Sequence, residues 1–131
     1  MELDHVGIAV ATLERALPRW RGVADPPPGP PELVAGQKVR VLFLRAGGVE
    51  LELLEPTEPS SAVARFLEKR GEGLHHLAFR VPSVDRALAD LQSRGEPVVD
   101  KVGRPGARGH RVGFAMPAAF GGVLVEFVEA R

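Results

Sequence analysis

Two histidines and two glutamates, His5 with Glu52 and His76 with Glu126, stand at equivalent places in a chain that repeats itself. Imidazole nitrogen and carboxylate oxygen are donors for a borderline divalent cation such as zinc, cobalt, nickel or manganese. The chain contains no cysteine, so thiolate metal sites, disulfides and cysteine nucleophiles are excluded and any metal must be held by nitrogen and oxygen. The repeat is legible at a fixed offset of 71 residues. Leu3 falls on Leu74, His5 on His76, Val10 on Val81, Arg15 on Arg86, Ala16 on Ala87 and Leu17 on Leu88. Arg40-Val41-Leu42-Phe43 falls on Arg111-Val112-Gly113-Phe114. A three-residue insertion then moves the offset to 74, pairing Gly47-Gly48-Val49 with Gly121-Gly122-Val123 and Glu52 with Glu126.

The elements that must position these residues follow from periodicity. Each half opens on an alternating strand, residues 3–10 and 74–81, followed by a helix that Thr12 or Ser83 can N-cap. The first helix is short, because Pro18 strains a helix interior unless it lies in the first turn. The second carries Val84, Leu88 and Leu91 at helical spacing and stops at Arg94-Gly95. Strands around 38–45 and 49–55, and again around 111–116 and 123–129, are joined by Gly-rich turns, so each half reads as a βαβββ unit. Residues 25–37 are too rich in Pro for a central strand and read as an extended connector or edge. Residues 59–70, with Ala62, Phe66 and Leu67 apolar, read as a helix linking the halves.

Strand parity then decides which side chains share a face, since successive residues point to opposite sides. Val6, Ile8 and Val10 form the helix-facing set of the first strand, which puts His5 on the other face. In VELELLE the apolar Leu51 and Leu53 mark the helix side and leave Glu50 and Glu52 with His5. The same exercise sets His76 with Ala78 against Leu77 and Phe79, and Glu126 against Val125 and Phe127. A lone strand His is ordinarily structural and a lone Glu ordinarily solvated. Recurrence of both at inward positions in both halves points to a shared cation, with positions left open for water or substrate. His75 takes the core parity and reads as structural, His110 sits at a strand entrance, and Glu50, whose repeat partner is Leu124, reads as a rim group.

Composition bounds the rest. The 131 residues, 44% of them hydrophobic, suffice for one sizeable core or two small units. Acidic and basic residues balance at 17 each, which gives no global field for nucleic acid or an anionic membrane. No run of about 18 apolar residues exists, and MELDHVGIAV lacks a basic, cleavable leader, so a cytoplasmic location is expected. Any anionic ligand would need a local cluster, and VGRPGARGHR supplies Arg104, Arg108 and Arg111.

The stretches LDHVGIAV, ELELLEP, AVARFLEKRGEGLHHLAFRV, RPGARG and GGVLVEFVE resemble the vicinal oxygen chelate superfamily and, within it, the methylmalonyl-CoA epimerases, over nearly the whole chain. The resemblance implies an α+β fold of two tandem βαβββ modules forming a metal-containing cup. The modules would span about 1–57 and 72–131, with a linker helix at about 58–71, in a single domain. It implies one divalent ion per chain, cobalt ahead of manganese, nickel or zinc, held by His5, Glu52, His76 and Glu126. It further implies a homodimer acting on an acyl-CoA, with Glu126 as ligand and base in proton abstraction α to the thioester. The three arginines would then meet the coenzyme's phosphates. Two positions depart from the pattern: Met116-Pro117-Ala118 replaces His-Pro-Lys, and Val41 stands where some members carry a second basic Glu, leaving the second base open. A glyoxalase I-like isomerase would use the same four ligands on a hemithioacetal, and a non-enzymatic small-molecule-binding protein could share the fold.

Overall fold

The computed structural model describes residues 1–26 and 29–129; Pro27 and Pro28 of the Pro-rich connector lie outside the described residues, as do Ala130 and Arg131. The chain packs as two compact units, His5–His75 and Met1–Asp4 together with His76–Arg131.

In the first unit, β1 (Glu2–Ala9) leads into α1 (Leu13–Trp20), and β2 (Glu32–Val34), β3 (Val39–Ala46) and β4 (Val49–Pro56) follow. The strands lie in the order β2-β3-β4-β1, β4 running parallel to β1 and the other pairs antiparallel. Ile8, Val10, Leu42, Leu44 and Leu53 pack with Leu13 and Ala16 of α1, and Val6 and Leu51 join them. This is the helix-facing set that alternation predicts. The residues between them, His5, Gly7, Val41, Phe43, Glu52 and Leu54, therefore share the opposite face, and the register pairs Phe43 with Glu52 and Gly7 with Glu52. The connector ends as the edge strand β2, in keeping with its Pro content. The first helix holds Pro18 in its last turn rather than its first. The helix stops two residues later at Trp20, so Pro18 costs this short helix one intrahelical hydrogen bond, to the Glu14 carbonyl. A further helix, α2 (Ala62–Arg70), begins after Ser61, whose hydroxyl accepts from the Val63 N–H at 3.2 Å.

The second unit repeats the plan with β5 (Gly73–Val81), α3 (Val84–Ser93), β6 (Arg104–Pro105), β7 (Arg111–Ala115) and β8 (Val125–Glu129). Its strand order is β5-β8-β7-β6, again with the first and last strands parallel. Val84, Leu88 and Leu91 of α3 meet Val81, Ala115, Val125 and Phe127, while Ala78, Val112 and Val128 cluster on the other face. The inserted residues form a 3-10 turn, Pro117–Phe120, which ends at Gly121 with φ of 66° and delays the last strand to Val125. The chain thus has the α+β fold of two βαβββ modules.

Both β-α connections are fastened in the same way. Thr12 Oγ1 accepts from the Arg15 N–H at 3.3 Å, and Ser83 Oγ from the Arg86 N–H at 3.2 Å. A carboxylate from the end of the last strand adds a second acceptor. Glu55 takes the Leu13 N–H at 2.7 Å and Glu129 the Val84 N–H at 2.9 Å. At the first helical turn a negative group also meets the positive end of the helix dipole.

Gly113 marks how closely α3 lies on β7: a Cβ there would sit 2.6 Å from Leu88 Cδ1 and 3.0 Å from Val84 Cγ1. Gly113→Ala is expected to destabilise the protein by about 1–3 kcal/mol through overpacking. Gly48→Ala, where nothing lies within 4 Å, should leave the denaturant midpoint nearly unchanged.

Candidate metal centre

The His/Glu pair of each unit is braced by an equivalent phenylalanine. In the first unit His5 Nε2 lies 3.2 Å from Glu52 Oε1, and the His5 ring meets Phe43 edge-on at 5.5 Å and 89°. In the second, His76 Nε2 lies 3.1 Å from Glu126 Oε1, and its ring meets Phe114 at 5.6 Å and 81°. All four polar residues are buried, His5 and His76 at 4% exposure and Glu52 and Glu126 at 5%. Each sits on the face its parity predicts, away from the helix. The aromatic partners carried a signal in the sequence, since Phe43 falls on Phe114 in the repeat, but nothing local said that they would brace the imidazoles.

Each pair has the span that two ligands of one ion require. With donors about 2.1 Å from a cation, adjacent ligand atoms lie about 3.0 Å apart at right angles and about 3.4 Å apart in a tetrahedron. The observed 3.2 and 3.1 Å fall in that interval. Nitrogen and carboxylate donors, buried on faces that also carry the buried Phe43, Leu54, Phe114 and Val128, fit a divalent cation and give no foothold to one that needs thiolate.

The remaining candidates part company. Arg104 ion-pairs with Asp100 at 3.1 Å, and its guanidinium carbon lies 5.7 Å from the centre of the Phe114 ring, the same ring that braces His76. Arg111 turns to the helix side, where Nη2 reaches both Asp85 oxygens at 3.0 Å. The Gly103 N–H at 2.7 Å and then the Arg111 guanidinium hold the Asp85 carboxyl below the usual carboxylate range. Arg108 is exposed in a 3-10 turn, with φ of 57°. The three arginines expected to act together thus have three different settings, and Arg104 is the one beside the second His/Glu pair. His75 packs edge-on against Phe66 at 4.9 Å, and His110 Nδ1 lies 3.2 Å from the Glu129 carbonyl oxygen.

Residues 4–114 match the model of the glyoxalase/bleomycin resistance protein/dioxygenase superfamily. The chain belongs to that superfamily. Its relatives within the superfamily include the uncharacterized protein YqjC of Bacillus subtilis, 40% identical over 98% of this chain and 92% of that one. The ethylmalonyl-CoA/methylmalonyl-CoA epimerase of Cereibacter sphaeroides is 36% identical over 97% of this chain and 96% of its own. A methylmalonyl-CoA epimerase solved with methylmalonyl-CoA and NH4+ superposes with a TM-score of 0.89 at 36% identity, covering 98% of this chain and 94% of the other. Members of this superfamily are metal-dependent, and the two His/Glu pairs are groups that could hold such an ion.

On this geometry His76→Ala is expected to lose most bound divalent ion, measured by elemental analysis of purified protein, and His75→Ala to keep it. Equal loss, or full retention in both, would overturn the assignment of faces.

Proposed function

We propose that this protein is a methylmalonyl-CoA epimerase, interconverting the (R) and (S) forms by metal-assisted removal and return of the proton α to the thioester. The observation that carries the reading is the buried His/Glu pair repeated on the helix-averse face of each module, in a chain whose relatives include epimerases matched over almost their full length. We take the two modules, about 1–57 and 72–131, and the helix of about 58–71 between them as one functional domain.

In this reading His5, Glu52, His76 and Glu126, which offer one donor atom each, hold a single divalent ion. Cobalt is the first choice, with manganese, nickel or zinc as alternatives. When bound, the ion supplies Lewis acidity that stabilises the negative charge of an enolate. Glu126 accepts the α proton on one side, from its ligand position or by a carboxylate shift. Ala78, Val112, Phe114 and Val128 give its face an apolar lining. Arg104, steadied by Asp100 and Phe114, offers its remaining donors to an anionic group of the acyl-CoA. Arg108 is an exposed second cation for the coenzyme's phosphates, and Arg111, engaged by Asp85, a weaker third.

We place the enzyme in the cytoplasm, because a polyanionic coenzyme A thioester does not cross membranes unaided. Among the described residues no helix is long and apolar enough to span one. We also propose a symmetric homodimer, which would cover edge strands such as β2 and β6 that end the two units' strand orders. Sedimentation at micromolar concentration should give twice the chain mass, and a monomer alone would remove this part of the reading.

The reaction is tested by NMR in heavy water with one epimer of methylmalonyl-CoA. Metal-loaded wild type should take up deuterium at the α carbon and form the other epimer. Glu126→Gln should slow this by roughly 10²-fold or more, with metal content measured in the same sample. A wild type that exchanges nothing but converts the hemithioacetal of methylglyoxal and glutathione would instead be a glyoxalase I-like isomerase.

A further inference from the structure

We propose that Asp100, in the loop between α3 and β6, is a positioning residue that holds both the metal ligand His76 and the substrate cation Arg104 in place. The inference rests on the functional reading above for the roles of His76 and Arg104, and adds the group that fixes the two together. Every residue it uses lies in the second unit.

Phe114 stands directly across from Glu126 on the antiparallel pair β7 and β8. Its backbone groups turn away from β8. The carbonyl accepts from the Val99 N–H at 2.9 Å and the Asp100 N–H at 3.2 Å, and the N–H donates to Asp100 Oδ2 at 2.9 Å. Phe114 and Glu126 therefore form a non-hydrogen-bonded pair, the kind in which facing side chains come closest. Strand β6, which pairs with Arg111 and Val112, stops short of Phe114. Without the Asp100 carboxylate, the N–H of a residue only 7% exposed would lose its acceptor.

The other oxygen of the same carboxylate faces Arg104. Oδ1 lies 3.1 Å from Arg104 Nε, and both side chains are partly shielded, Asp100 at 15% exposure and Arg104 at 35%. The guanidinium carbon sits over the Phe114 ring, 5.7 Å from its centre, and that ring meets the His76 imidazole edge-on at 5.6 Å. His76 Nε2 in turn lies 3.1 Å from Glu126 Oε1. One oxygen of Asp100 thus fixes the peptide of Phe114, and the other fixes the cation that lies on its ring.

Two effects follow from this double hold. The imidazole keeps its aim only while Phe114 stays in place, and groups standing behind a metal ligand typically govern affinity by roughly 10-fold to 100-fold. Arg104, already ordered by Asp100, can offer its remaining donors to an anionic group without first losing side-chain freedom.

The test uses Asp100→Ala, Asp100→Asn, Arg104→Ala and the double variant Asp100→Asn/Arg104→Ala. Cobalt affinity is measured without substrate, by competition with a chelator. Steady-state epimerisation of methylmalonyl-CoA gives KM and kcat, and circular dichroism reports the fold of the same samples. Asp100→Ala should weaken cobalt binding by roughly 10-fold and also raise KM. Asp100→Asn keeps an oxygen for the Phe114 N–H but no charge for the guanidinium. It should bind cobalt like wild type and raise KM by roughly 5-fold, with kcat little changed. Added to Arg104→Ala, it should raise KM no further. The assignment is overturned if Asp100→Ala binds cobalt as tightly as wild type, if Asp100→Asn weakens cobalt as much as Asp100→Ala, or if Asp100→Asn raises KM equally with and without Arg104. Where Asp100→Ala does not fold, Asp100→Ser takes its place under the same criteria. A wild type that does not interconvert the epimers would defeat the epimerase reading, while the cobalt measurements, which need no substrate, would still decide the hold on His76.

Discussion

Burying a carboxylate costs several kcal/mol unless charge and hydrogen bonds compensate it, and this chain buries two, Glu52 and Glu126, each at 5% exposure. Each lies about one hydrogen-bond length from the imidazole of its own module, at 3.2 and 3.1 Å. A stability-driven sequence would fill these positions with Val or Leu, as it does at the neighbouring Leu54 and Val128. Keeping ionisable groups there is the constraint around which both modules are organised. The helix sides, packed with Leu, Val and Phe, supply the burial that makes the polar faces tolerable.

The same cost explains why the two His/Glu pairs ride on paired parallel strands. In each module the His and the Glu sit on the two parallel strands, β1 with β4 and β5 with β8, whose backbones are held by ladder hydrogen bonds. Their side chains are then braced by a ring from the next strand, Phe43 or Phe114. A rigid mounting fixes donor positions before any ion arrives. Glu55 and Glu129 extend the mounting to the helices, tying the first turn of α1 and of α3 to the end of the strand that carries Glu52 or Glu126.

Function enters where the two modules stop being copies. The first module ends its β3–β4 turn at Gly47-Gly48, whereas the second inserts the 3-10 turn Pro117–Phe120. The first has Glu32 on its edge strand; the second has Arg104 and Pro105 on β6. An acidic edge in one half and a cationic one in the other give unlike surroundings to two equivalent His/Glu pairs. Such asymmetry is what a substrate with a reacting carbon and an anionic tail requires.

The sequence alone determined the repeat, the βαβββ order and the face of each paired His and Glu, because apolar alternation is a local property that a strand can satisfy in one phase only. It also carried the helix caps, since Thr12 and Ser83 act on residues three positions away. Tertiary structure alone decided what depends on partners distant in the chain. It set Glu32 against Val41 through the 3-10 turn Ala35–Gln37, turned Arg111 towards Asp85 and Arg104 towards Phe114, and brought Glu129 to the start of a helix 45 residues earlier. It also kept Pro18 inside α1, against the local preference. Those outcomes are fixed by strand register and helix docking, which follow from how apolar surfaces fit together over long separations and leave no periodic trace in the residues that end up as neighbours.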